Sequence, residues 1–203
     1  MNERVPDSVL GTQAQLMMRW MQEFIAKPHD DLGRDGPVCP VVPPAMKHGK
    51  FELTSSYIEP TYENFLALLE TERDSFLAAL SSEHDQPELL CRMIAMEGCS
   101  TEAHAKLMDE AQAAMKPGYM KKGLMVGQLH PFNETPGLYS ETFRPFKTDG
   151  GFAFTVRPMI APDYRFIRQN LSSPVAIHEA TQAYLARFMH LISDDVRKKL
   201  EAL

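Results

Sequence analysis

Cysteine is scarce in this chain and unpaired by motif: Cys39, Cys91 and Cys99 form no C-x-x-C couple. That argues against a disulfide framework or a zinc ribbon and fits reduced thiols in a cytoplasm. Basic charge is also short, with 21 Lys and Arg against 27 Asp and Glu and a net charge of −6. A nucleic-acid binder wants clustered Lys and Arg, so nucleic acid is not expected as a partner. No apolar run approaches the roughly 20 residues that span a bilayer. The first residues, MNERVPDSVL, lack a basic start followed by an apolar stretch, so no secretory signal is expected. Four catalytic signatures are missing: G-x-x-x-x-G-K-[ST], G-x-G-x-x-G after a strand, H-E-x-x-H and G-x-S-x-G. Nucleotide binding, zinc proteolysis and the common hydrolase elbow lose their best support. A soluble, cytoplasmic protein with no membrane partner is the expectation.

What is present suffices for a core. The 203 residues are 44% hydrophobic and 24% charged, a composition that folds as one globular domain without a disulfide or structural metal. Thirteen methionines read as soft core filler or as a flexible ligand-binding surface.

The pattern predicts a helix over 8–26, with Ser8 as N-cap and Met17, Trp20, Met21 and Phe24 on one face. The proline-rich stretch PHDDLGRDGPVCPVVPP reads as a structured coil. A strand follows over Lys50 to Ile58, then a helix over 62–80 capped by Thr61. ELLCRMIAME is apolar on both faces, as a central strand is. A helix from Ser100 or Thr101 to about Met115 is closed by Pro117-Gly118, and a strand spans 122–129. In FAFTVRPM, Phe152, Phe154 and Val156 face one side while Ala153, Thr155 and Arg157 face the other. Ser173-Pro174 opens a helix to about 189, and Ser193 opens a short last one. The order implies an α+β single domain: a four-stranded, mainly antiparallel sheet with helices on one face, ferredoxin-like in spirit. It divides into an N-terminal helix (1–27), a core (28–168) and C-terminal helices (173–203). The fold says nothing about chemistry.

Several residues could carry chemistry, each with a bland alternative. His130 ends an apolar strand beside Gly127; it could reach an iron, act as an acid–base group, or hydrogen-bond into the following loop. Cys39 precedes Pro40 in a coil and is either a haem thiolate or a small buried hydrophobe. Arg144 and Arg157 each precede a proline, which biases them to extended backbone and lets a guanidinium fork a carboxylate. The alternative is pairing with the protein's own acids. His104 and His178 read as core histidines. Residues 131–150 form a long irregular run with aromatics among prolines and glycines, read as a lid over a ligand or a cap on the sheet.

The motifs HDDLGRDGPVCPVVPPA, KKGLMVGQLHP, ETFRPF and VRPMIAPDYRFI occur in this order. Over residues 29–168 they resemble an uncharacterised bacterial domain family found near specialised-metabolite biosynthesis genes. That family is in turn distantly similar to small haem enzymes that oxygenate nitrogen on amino acids. The chain departs from the family pattern at Val41, Leu129 and Ala161, with apolar character kept. The resemblance implies a haem-dependent oxygenase of an amino acid or small amine. Haem b would be held by His130, with Cys39 as second choice; Arg34, Arg144 and Arg157 would bind the cofactor, Arg144 and Arg157 by meeting carboxylates of the haem or the substrate. An electron donor would be needed, and a homodimer is one assembly left open. The other readings are a non-catalytic accessory protein of a biosynthetic cluster and a cofactor-free acid–base enzyme using His130.

Overall fold

Four strands form one sheet in the order β1-β2-β4-β3: β1 (Phe51–Ser56), β2 (Cys91–Met96), β3 (Leu124–Leu129) and β4 (Ala153–Pro158). The computed structural model describes residues 11–203. The sheet is mixed. β1 and β2 run parallel, while β4 pairs antiparallel with both β2 and β3. The α+β class and the four strands agree with the sequence pattern, and two of the three pairings are antiparallel.

The alternation expected in β4 holds, and it sets the two faces. Ile94, Met96, Leu124, Val126, Phe154 and Val156 turn toward α3 (Tyr62–Ser82) and α4 (Glu102–Lys121) in the largest core cluster. Thr61 and Thr101 cap these helices, accepting from the N–H of Asn64 and His104. The helical layer is not confined to that face, however. α1 (Thr12–Trp20) continues into a wider turn at Met21–Ile25 and lies on the opposite side, packing Met17, Trp20 and Met21 against Met93, Leu129 and Ala153. Its start is anchored by Glu97, just beyond β2, whose carboxylate accepts the N–H groups of Gln13 and Ala14 at 2.9 and 3.1 Å. An acid at a helix N-terminus satisfies orphan donors and the helix dipole together. Gly11 is the N-cap; Ser8 lies outside the described residues.

Three further differences have local causes. The proline-rich coil contains a short helix α2 (Val42–Lys47), with prolines where no intrahelical donor is needed. α4 does not stop at Pro117 but runs to Lys121. A proline inside a helix costs about 3 kcal/mol. The turn it permits buries Tyr119 and Met120 almost completely and lets the Tyr119 hydroxyl donate to the Leu69 carbonyl at 2.6 Å. Each such burial returns about 1.5–3 kcal/mol, so packing prevails. A 3-10 segment, Ala161–Phe166, also follows β4. Finally α5 (Pro174–Phe188), capped by Ser173, packs on α4, and α6 (Asp194–Glu201) closes the chain. Among the described residues no helix is long and apolar enough to cross a membrane.

Candidate functional site

One row across the sheet shows where space is left. Leu53 pairs with Met93, Met93 with Thr155, and Thr155 with Gly127. α1 covers the first half of this row, burying Met93. Toward β3 the cover of α1 ends. Thr155 and Gly127 stay partly open, and there a pocket of about 110 Å3 forms. Gly127 makes room for it: a Cβ there would stand 3.1 Å from Thr155 Cγ2. Phe146 and Phe166 line the pocket too, their rings 6.4 Å apart.

Its polar wall comes from α4. Gln112 and Lys116 line the pocket, while Asp109, earlier on the same i, i+3, i+7 stripe against β3, stands outside the lining. Asp109 Oδ1 accepts from Gln128 Nε2 at 2.8 Å and lies 3.0 Å from His130 Nε2. Gln112 donates to the Val126 carbonyl at 2.8 Å and accepts from Asn170 at 3.3 Å. Lys116 is 2% exposed and donates to the carbonyls of Phe166 and Gln169 at 2.6 and 2.5 Å. Burial pushes its ammonium down to about 8, and the Asp163 carboxylate works against that shift. Asp163 is itself buried and takes the guanidinium fork of Arg157 at 2.8 and 2.6 Å. Two cations thus share one carboxylate. Asn170, held at φ +63, and Asn133 complete the polar lining.

The residues singled out from the sequence do not converge on one centre. Arg157 lines the pocket, and Cys39 and Cys91 sit close enough to add to its electrostatic surroundings. Burial raises the Cys91 thiol to about 11, so it is inert. His130 lies apart, 1% exposed, stacked at 6.4 Å on Phe152. Its Nδ1 is buried with no hydrogen-bond partner among the described residues. Arg34 donates to the carbonyls of Asp35, Pro37 and Val38 and lies over the Tyr139 ring. Arg144 stays within its own loop, donating to Glu134 and to the Glu141 carbonyl. Arg144 and Arg157 do meet acceptors, but these are the protein's own. His104 is half-buried at the start of α4, accepting the Ser100 N–H, and His178 is exposed, with Ile177 taking the buried place.

The loop from Pro131 to Gly151 is irregular, and most of its aromatics rest on protein. Phe143 packs between Phe24 and His29, with ring centroids at 5.8 and 4.8 Å. Tyr139 lies between Arg34 and Arg165. Its carbonyl approaches Gly33, where a Cβ would stand only 2.6 Å away. At the neck of the loop, the His130 carbonyl accepts from the N–H of both Asn133 and Thr148.

These residues do not fit a porphyrin as they are arranged. Neither His130 nor Cys39 lines the pocket, and His130 Nε2 is engaged by Asp109. The space is also well below the roughly 300–1,000 Å3 of sites for drug-sized ligands.

A wider groove along α5, lined by Lys121, His178 and Arg187, has only exposed or half-exposed side chains. It offers no desolvated group to a ligand.

A family described as a domain of unknown function (DUF6875) matches residues 14–199, and the chain belongs to it. The match reaches beyond the 29–168 core that the motifs marked. No curated protein and no solved structure matches the chain.

Proposed function

We propose that this member of the family binds a small polar molecule on the half of the sheet that α1 leaves bare. One observation carries the reading: the row Leu53–Met93–Thr155–Gly127 passes from a helix-covered core to a hollow walled by carboxamides. A closed core would fill that space with apolar atoms, since interiors pack to crystal-like density. Here Gln112, Asn133 and Asn170 stand around a floor opened by glycine. The volume of about 110 Å3 admits roughly eight to ten water-sized atoms, so the ligand is compact.

The test is a backbone amide NMR screen with compounds of up to about ten heavy atoms. A true ligand shifts the signals of Gly127, Asn133 and Asn170 together, and Gly127→Ala weakens it. Binders that perturb only the α5 groove would overturn the proposal.

For the haem-dependent oxygenase implied by the resemblance, one feature speaks: the buried, unpartnered Nδ1 of His130. That reading requires His130 to leave Asp109 and the loop after it to swing away. A haem titration separates the two readings. A stoichiometric Soret band lost in His130→Ala would favour haem; the pocket reading expects no saturable band.

A further inference from the structure

Resting on that pocket, we infer that its ligand is a small monoanion, a carboxylate without an α-ammonium group, such as a 2-hydroxy or 2-oxo acid. Charge is the first ground. The lining contains Lys116 and Arg157, and among the described residues no Asp or Glu lines it. Asp163, behind them, binds both oxygens to Arg157 and to the Ile160 N–H. One carboxylate therefore faces two cations, Arg157 by its fork and Lys116 at longer range, and the trio keeps one positive charge in excess.

Donor count is the second ground. Lys116 spends two N–H groups on the carbonyls of Phe166 and Gln169, and a tetrahedral ammonium has a third. A buried cation with a donor to spare is completed by an anion in hydrogen-bond range, at a strength roughly twice that of a neutral partner. An ammonium on the ligand has no carboxylate to meet. A zwitterionic amino acid therefore brings a positive charge to a site that already holds one too many. The single excess charge also suits a monoanion better than a phosphate dianion.

The experiment compares four probes by calorimetry and amide shifts at pH 7: lactate, alanine, lactamide and inorganic phosphate. The first three share one carbon frame and differ in charge. Lactate is expected to bind about tenfold more tightly than alanine or lactamide. Its affinity should fall as pH rises past about 8, where Lys116 loses its proton, while any lactamide binding stays flat. Lys116→Gln should abolish the preference; the pH profile of the parent protein gives the same answer should that variant not fold. Alanine or lactamide matching lactate, or phosphate exceeding it, would overturn the anion assignment and leave the pocket intact. If no probe moves Gly127, Asn133 or Asn170, the anion assignment and the pocket reading both fall.

Discussion

Lys116 Nζ lies 2.5 Å from the Gln169 carbonyl oxygen, so a helix and a turn 53 residues apart in sequence meet through one buried ammonium. The arrangement links stability to pH. Burial holds Lys116 at about 8 in the folded chain against the 10.5 of an ordinary lysine. Between these values the unfolded chain binds more protons, so stability rises with pH across that window. Below about 8 both states are charged and the burial penalty is fully felt. The gain from pH 7 to 10 is at most about 3 kcal/mol, reduced by the two carbonyls that favour the charged form. Urea unfolding at both pH values reads it, with Lys116→Met as reference. Parallel pH profiles for the two proteins would remove Lys116 as the cause.

Removing Asp163 should be costly. Asp163→Asn leaves the Arg157 guanidinium without its buried carboxylate and Lys116 without the charge that supports it, a loss of about 3–5 kcal/mol. For a domain of this size that is a fall in Tm of at least about 6 °C. Sulfate should restore part of it, and equal ionic strength of chloride should not. A variant that melts within about 2 °C of the parent would show that the pair does not hold the pocket wall.

His130→Ala tests what the buried ring does for the loop. The cavity and the lost ring contact should cost about 2–4 kcal/mol. Asp109 is 45% exposed and finds water instead. Limited proteolysis under native conditions should cut within 131–151 several times faster than in the parent. Unchanged cleavage would mean that the loop is held by Phe143 and Tyr139 alone.

Gly33 and Gly36 form a matched pair for the contact between two loops. Both have positive φ, +77 and +89. A Cβ on Gly33 meets the Tyr139 carbonyl at 2.6 Å, whereas on Gly36 the nearest neighbour is the Arg34 guanidinium in ordinary contact at 3.5 Å. Each Gly→Ala pays about 1–2 kcal/mol of backbone strain. Denaturant midpoints should place Gly33→Ala lower by a further 1 kcal/mol or about that. Equal losses would show that Tyr139 yields freely.

Much of the framework was readable from residues alone. Thr61, Ser173-Pro174 and Ser193 announce helices that begin where they stand, and the alternation in Phe152–Arg157 gives both faces of β4. The position of α1 was not readable, because it depends on Glu97 meeting the helix start from 83 residues away. The pocket stayed hidden for a related reason. Reading Pro117 as a stop ends the helix at Met115 and puts Lys116 in a turn. Once packing carries the helix onward, Asp109, Gln112 and Lys116 fall on one stripe. A lysine and a glutamine on a helix otherwise look like solvated surface. Conversely, His130 and Arg157 stood out by type, yet their partners, Asp109 and Asp163, could be identified only in three dimensions.

The neck of the long loop has a consequence for how such chains diverge. The His130 carbonyl binds both ends of the segment, and His130 also bridges to Lys147. The strands therefore do not register how much chain lies between those points. Doubling a loop adds only about 0.6 kcal/mol of closure cost, so length and composition between Asn133 and Lys147 can change without re-pairing the sheet. The segment is in effect an exchangeable cassette: because Asn133, Thr135 and Phe146 line the pocket, a new one could alter ligand choice on an unchanged scaffold.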